Sequence, residues 1–234
     1  MHRAFYLLTP GGWRDYLNLL HAPYTAWHLS YVILGAALVP SPIYPLLGWT
    51  LLAFFLALGV AAHALDELRD RPLGTTIPAV VLWGLGIVAV AAACAIGLTV
   101  GVAATPYLLP FVAAGAFFVF AYNLEWGPFH HDLVFALAWG AFPLLTSYVA
   151  QTGGLSMASV IVAAAAAAIT HVQRILSARV RYLRRQVASA AGHLVEADGT
   201  EIVLTREWLA QDHDRVLALL STAMPMLAVG LLLR

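Results

Sequence analysis

The sequence predicts an all-α membrane protein, with a single membrane domain over residues 1–234 and about seven transmembrane helices. Hydrophobic residues make up 62% of the chain and charged residues only 10%, and the mean hydropathy is +0.82. A typical soluble domain carries about 25% charged residues. The apolar residues also form long runs, and a helix of about 20 residues crosses the ~30 Å hydrocarbon core of a bilayer.

Proline and glycine separate the apolar runs, and both residues interrupt helices. Examples are Pro42, Pro72, Pro106, Pro128 and Gly153. We predict transmembrane helices at residues 23–40, 44–63, 77–98, 104–122, 133–151, 154–171 and 215–233. The fourth and the seventh of these have the weakest sequence support.

The distribution of arginine predicts the orientation of the bundle. All twelve basic residues are arginine. Arg3 and Arg14 precede the first predicted span, Arg69 and Arg71 follow the second, and five more follow the sixth. The connections at the other end carry no charge: 40–45, 99–105 and 150–155. The positive-inside rule therefore predicts a cytoplasmic N-terminus in the cell inner membrane. The formal net charge is zero, so nothing indicates a nucleic-acid partner.

Between the last two predicted spans lies a cytoplasmic insertion, residues 174–214. Its first part is basic and predicts a helix along the anionic leaflet. Residues 192–205 alternate around an Asp198-Gly199 pair, which predicts a short β-hairpin. Thr205 is expected to cap the helix that leads into the last span.

A polar cluster follows the charge-free run of the second span. It reads Ala62-His-Ala-Leu-Asp-Glu-Leu-Arg-Asp-Arg-Pro-Leu-Gly74. On a helix, the following residues share one face: His63, Asp66, Glu67 and Asp70. An acidic residue costs roughly 2.5–3.5 kcal/mol at the bilayer centre and less near the interface. We therefore expect this face to bind a cation or to line a wet cavity, although Asp70 alone fits a solvated helix end better.

The same segment resembles the first aspartate-rich motif of the UbiA superfamily of intramembrane prenyltransferases. That motif reads Asn-Asp-x-x-Asp-x-x-x-Asp and is often followed by Arg-Pro-Leu. Asp66 and Asp70 match its last two aspartates, whereas the first two positions differ. Tyr122 resembles the tyrosine that opens the next cytoplasmic loop of the family, and residues 140–153 are similar to its fifth helix.

The resemblance implies a UbiA-like helical bundle around a cavity that is open to the cytoplasm and to lipid. It further implies a prenyltransferase in which Asp66 and Asp70 are catalytic and hold Mg²⁺, with Glu67 as a third candidate ligand. The metal carries the diphosphate of an isoprenoid donor, whose ionisation leaves an allylic cation that alkylates an acceptor. Oxygen ligands suit Mg²⁺, and its charge neutralises the leaving group.

The second aspartate motif of that superfamily is missing. Aligning the two halves of the chain places Arg174 and Ala178 where its carboxylates would stand. Arg174 is the first candidate and Arg71 the second for a direct contact to an anionic head group, because a guanidinium pairs bidentately with phosphate oxygens. Tyr122 is a further candidate contact to the substrate.

Histidine supports an alternative function. His63 and His171 take equivalent positions in the two halves, and His28 and either His130 or His131 are expected at a similar depth. With the carboxylates of the second span they could hold Fe, Mn or Zn, as in helical di-iron proteins. The alternative function is therefore a transition-metal membrane enzyme on a prenyltransferase-like scaffold, either an oxidoreductase or a lipid-modifying enzyme. Each histidine also has a structural interpretation, such as a hydrogen bond within the bundle. A third alternative is a non-catalytic lipid-binding protein, which a cavity filled by side chains would favour.

Overall fold

A computed structural model describes residues 6–234, which form a helical bundle with one small strand pair. The first helix, α1, covers Trp13–Leu19. Seven longer helices follow: α2 (Ala22–Ala37), α3 (Tyr44–Glu67), α4 (Ala79–Ala103), α5 (Pro106–Asn123), α6 (Asp132–Thr152), α7 (Met157–Arg185) and α8 (Arg206–Leu232). Strands β1 (His193–Val195) and β2 (Glu201–Val203) join α7 to α8.

Six helices, α3 to α8, are long and apolar enough to cross a membrane. This confirms an all-α membrane protein. The first predicted span differs, because α2 has 16 residues and covers only about 24 Å. Pro40 and Pro42 follow its end, and proline cannot continue a helix. Trp27 and Tyr31 of α2 are fully buried, so α2 is a central helix of the bundle.

Helix α7 continues beyond the predicted end of the sixth span at residue 171. It runs without interruption to Arg185, so the basic segment predicted to lie along the leaflet is the last part of this helix. Ser156 and Ser159 form a capping box at its start, and residues 157–185 contain neither proline nor glycine. The segment between α7 and α8 covers residues 186–205, and both helices extend into the predicted insertion, residues 174–214.

The predicted hairpin and helix cap are both confirmed. His193 pairs with Val203 and Val195 with Glu201 in an antiparallel register. Gly199 in the connecting turn has a φ of 89°, a left-handed conformation that glycine adopts without steric cost. The Thr205 hydroxyl accepts a hydrogen bond from the backbone N–H of Trp208 at 3.1 Å and so caps α8.

Charge is gathered at one end of the bundle. The starts of α2, α6 and α8 and the ends of α3, α5 and α7 surround one cavity, so consecutive helices alternate in direction. Of the arginines that the structure describes, only Arg234 belongs to the opposite end, where it donates to the carbonyl of Ala37 at 3.2 Å. Arg3 lies outside the described residues.

Close helix contacts fix the position of α7. A Cβ at Gly140 of α6 would lie 2.6 Å from the Thr170 hydroxyl of α7, so only glycine permits this approach. Small residues at such contacts let transmembrane helices pack closely. The Thr170 hydroxyl also donates to the Tyr31 hydroxyl of α2 at 2.9 Å. The middle of α7 is therefore held against the core.

Candidate functional site

A cavity of about 680 Å³ lies at the charged end of the bundle. Six helices surround it, together with residues of the Tyr6–Pro10 segment and the loop after α3. Its volume falls in the range of small-molecule sites, about 300–1,000 Å³. The walls are polar on α3 and α7 and aromatic on α5 and α6.

The α3 wall presents the predicted aspartates. Asp66 lies in the last turn of α3, which follows a π-helical stretch, Phe55–Ala62, and π-helical turns are frequent at functional sites. Asp70 and Arg71 follow in the loop, each with a φ of 48°. Left-handed backbone at two consecutive non-glycine residues is uncommon and is typical of functional segments. Both aspartates line the cavity.

Glu67 faces away from the cavity, contrary to the predicted four-residue face. Its side chain is fully buried. One carboxylate oxygen accepts the Leu73 N–H at 2.9 Å, and the other accepts the Thr75 N–H at 2.8 Å and its hydroxyl at 2.9 Å. The common face breaks because α3 ends at Glu67 and the chain then turns. Glu67 fixes the loop and has no oxygen left for the cavity.

A second buried carboxylate, which the sequence did not single out, holds the same loop. Asp15 is fully buried and accepts the N–H and hydroxyl of Thr76 at 2.8 and 2.7 Å. Its other oxygen accepts the Gly11 N–H at 2.8 Å. Burial is the largest influence and raises the pKa of Asp15, but the hydrogen bonds from Thr76 and Gly11 together outweigh it, so the pKa lies below its usual value. The loop after α3 is thus held by two carboxylates.

The α7 wall presents four arginines to the cavity: Arg174, Arg181, Arg184 and Arg185. Three of them have close partners, which are Asp132 for Arg174 at 2.8 Å, Asp214 for Arg184 at 2.6 Å, and the Pro72 carbonyl for Arg185 at 2.6 Å. Arg181 has only a long contact, 3.4 Å, to the Ser177 hydroxyl. Within residues 6–234, no carboxylate forms an ion pair with Arg181.

The two polar walls border the same cavity. The side-chain carboxylate of Asp66 accepts no hydrogen bond and forms no ion pair in the part of the chain that the structure describes. The positive charges of Arg181 and Arg174 nevertheless act on its carboxylate. Asp66 and Arg181 therefore leave an acceptor and a donor group exposed to the same cavity.

The inner wall is aromatic. Tyr122, Phe135 and Trp139 pack on one another, with ring centroids 4.8 Å apart for Tyr122 and Trp139 and 5.3 Å for Phe135 and Trp139. His28 donates from Nδ1 to the Trp139 carbonyl at 3.0 Å. The Tyr122 hydroxyl is buried and has no hydrogen-bond partner among the described residues.

The predicted histidine set does not assemble in the cavity. His28 and His63 line it, but His171 and His131 do not. His131 instead caps α6 by accepting the Leu133 N–H at 3.2 Å, and His130 bonds to the Tyr122 carbonyl at 2.8 Å. In the described part of the chain, no three side chains of the metal-binding types His, Cys, Asp and Glu form a group that could hold a metal ion.

His21 is a further cavity residue that the sequence did not indicate. Its ring stacks on that of His63 with centroids 4.6 Å apart, and its Nδ1 lies 2.9 Å from the Tyr6 hydroxyl. Burial, followed by the charges of His63, Arg181 and Arg185, lowers the pKa of His21 well below its usual value. His21 therefore presents a neutral imidazole at neutral pH.

Seven of the ten predicted site residues line the cavity: His28, His63, Asp66, Asp70, Arg71, Tyr122 and Arg174. Glu67, His131 and His171 lie outside it. No family model, curated protein or solved structure matches this chain. Membership of the UbiA superfamily therefore stays a prediction that depends on the motif residues. Arg181, which was missed, stands seven residues after Arg174 and so shares its helix face.

Proposed function

We propose that this chain is a UbiA-like integral membrane prenyltransferase that acts on an isoprenoid lipid in the cavity. The observation that carries the proposal is that Asp66 and Arg181 line one cavity and that, among the residues described, neither side chain forms an ion pair. A carboxylate in an apolar bundle is costly, and such residues usually mark a binding site. A phosphate accompanied by a divalent cation complements both walls, since the cation suits Asp66 and the phosphate suits Arg181.

Asp66 and Asp70 fit a divalent cation. Both are oxygen donors that line the same wall, and Mg²⁺ is usually bound through one or two carboxylates together with water and substrate phosphates. Glu67 does not fit this role, because its oxygens hold the loop. When bound, the cation would neutralise the charge of the departing phosphate. Fe, Mn or Zn would require imidazole ligands, of which only His28 and His63 among the predicted set line the cavity.

The remaining walls suit the rest of the substrate. The α7 arginines bind and orient the anionic head group by charge-assisted hydrogen bonds. Phe135 and Trp139 exclude water from the inner end of the cavity, and their ring faces attract developing positive charge. We place the charged end, and with it the N-terminus, on the cytoplasmic side of the inner membrane, because the arginines cluster there.

The test is turnover of farnesyl diphosphate by the purified protein in lipid nanodiscs, measured as release of inorganic diphosphate with Mg²⁺ present and a lipid extract as the source of acceptor. The proposal expects Mg²⁺-dependent release that Asp66→Asn abolishes. Asp212→Asn is the matched control, because Asp212 is exposed on α8 and does not line the cavity. Equal turnover in both variants would contradict the proposal. Binding of the lipid without release would favour the non-catalytic alternative.

A further inference from the structure

We infer that Arg181 and the Tyr122 hydroxyl form a phosphate receptor that binds the anionic head group without a metal ion. The inference rests on the proposed function for the lipid nature of the ligand and goes beyond it in naming the contacts. It also separates the cavity into two walls with different roles, a carboxylate wall on α3 and an anion-binding wall on α7.

The first observation is the electrostatic state of Arg181. The like charges of Arg174 and Arg185 act on its guanidinium, and within the described chain no carboxylate pairs with it. Arg174 and Arg184 differ, because Asp132 and Asp214 neutralise them. Positive charge without a counter-ion in a partly buried cavity attracts an anion, and the planar guanidinium matches phosphate oxygens bidentately.

The second observation is independent of charge. Tyr122 is only 4% exposed, it lines the cavity, and its hydroxyl has no partner among the residues described. A buried hydroxyl without a hydrogen bond is destabilising, and native structures rarely retain one without a reason. Arg181 lines the same cavity as Tyr122, and its charge acts on the Tyr122 hydroxyl. A phosphate oxygen would accept from both.

The third observation explains why this wall needs no metal. On the cavity side of α7 the chain places Arg174, Ser177 and Arg181, none of which offers a carboxylate. Asp214 of α8 also lines the cavity, but its Oδ2 lies 2.6 Å from Arg184. The acidic ligands that a cation prefers are thus confined to the α3 wall. The phosphate contact on α7 is therefore a direct one.

The test measures binding of farnesyl diphosphate to the protein in nanodiscs with EDTA present, by isothermal titration calorimetry. We expect the wild type to bind and Arg181→Gln to weaken binding about tenfold to a hundredfold, the loss typical of a hydrogen bond between charged groups. Arg179→Gln is the matched control, because Arg179 is exposed on the same helix and does not line the cavity. Arg181→Lys should restore part of the affinity.

Two further ligands identify the recognised group. Farnesol lacks the phosphate, and its binding should not depend on Arg181. Inorganic diphosphate should compete with farnesyl diphosphate in the wild type but not in Arg181→Gln. If Arg181→Gln fails to fold, Tyr122→Phe removes only a hydroxyl and should lower the affinity severalfold. Wild-type binding that requires Mg²⁺, or equal affinities for Arg181→Gln and Arg179→Gln, would overturn the inference. Metal-free, Arg181-dependent binding without Mg²⁺-dependent turnover would instead refute only the proposed reaction.

Discussion

Glu67 and Asp66 are neighbouring carboxylates in the last turn of α3, and replacing each with its amide should change the stability of the protein in different directions. Glu67 is fully buried and accepts three hydrogen bonds from Leu73 and Thr75. The Asp66 carboxylate accepts no hydrogen bond in the described structure, and Asp66 lines the cavity. Glu67→Gln should destabilise the protein, whereas Asp66→Asn should leave its stability unchanged or raise it.

The loss of stability expected for Glu67→Gln can be estimated from the groups that lose a hydrogen-bond partner. In either orientation, the side-chain amide introduced by Glu67→Gln would place an NH₂ group against a backbone N–H of the loop. One hydrogen bond to a charged acceptor is then lost, and one buried donor is left unsatisfied. These effects cost about 1.5–3 and 1–3 kcal/mol respectively. We expect a loss of about 2.5–6 kcal/mol, which corresponds to a fall in Tm of about 5–24 °C for a chain of this size.

The assay is thermal unfolding of the purified variants in one detergent, followed by tryptophan fluorescence. Asp66→Asn serves as the internal control, since it removes the same charge one residue away. If Glu67→Gln unfolds at the wild-type temperature while its divalent-cation affinity falls, Glu67 is a metal ligand and its structural role is refuted. If both variants fall equally, the loss reflects the charge of the helix end and not the loop contacts.

Two further predictions concern packing and pH. Gly35→Ala should destabilise the protein by about 1–3 kcal/mol, because the added Cβ would overlap the Leu144 carbonyl. Gly48→Ala should stabilise it by up to about 1 kcal/mol, because a Cβ at Gly48 would have no atom within 4 Å. Thermal unfolding of both variants checks the signs. Because His21 has a lowered pKa when folded, the unfolded chain binds more protons, so stability should fall as the pH drops below about 6.5. Unfolding temperatures between pH 7.5 and 5 should show a shallower fall for His21→Asn.

The positions of the membrane helices could be predicted because span length is a direct physical requirement. An apolar run either covers the hydrocarbon core or does not, and six of the seven predicted spans meet the criterion. The ends of the helices were harder to predict from the sequence. The arginines after residue 171 suggested an exit from the membrane, but alanine, leucine and arginine are strong helix formers. Nothing in residues 172–185 stops the helix, and Arg181 was therefore overlooked.

The site residues could be predicted only where one element presents them. His63 and Asp66 share a helix face three residues apart, and both line the cavity. Glu67 could not be assigned from the sequence, because its role depends on Leu73 and Thr75 returning to it after a turn with left-handed residues. The location of His171 depends on the rotation of α7 against α6, which only tertiary packing determines.

Opposite charges in one cavity pair unless something holds them apart. Here the Glu67 and Asp15 carboxylates fix the loop after α3, and the close contact of Gly140 with Thr170 fixes the middle of α7. Asp66 and Arg181 thus stand on two separately supported elements and form no ion pair among the described residues, and such support provides the preorganisation that binding sites require. A substitution such as Asp66→Asn should consequently raise the stability of the protein and lower its activity. It removes an unpaired charge, but it also removes the group proposed to bind the cation.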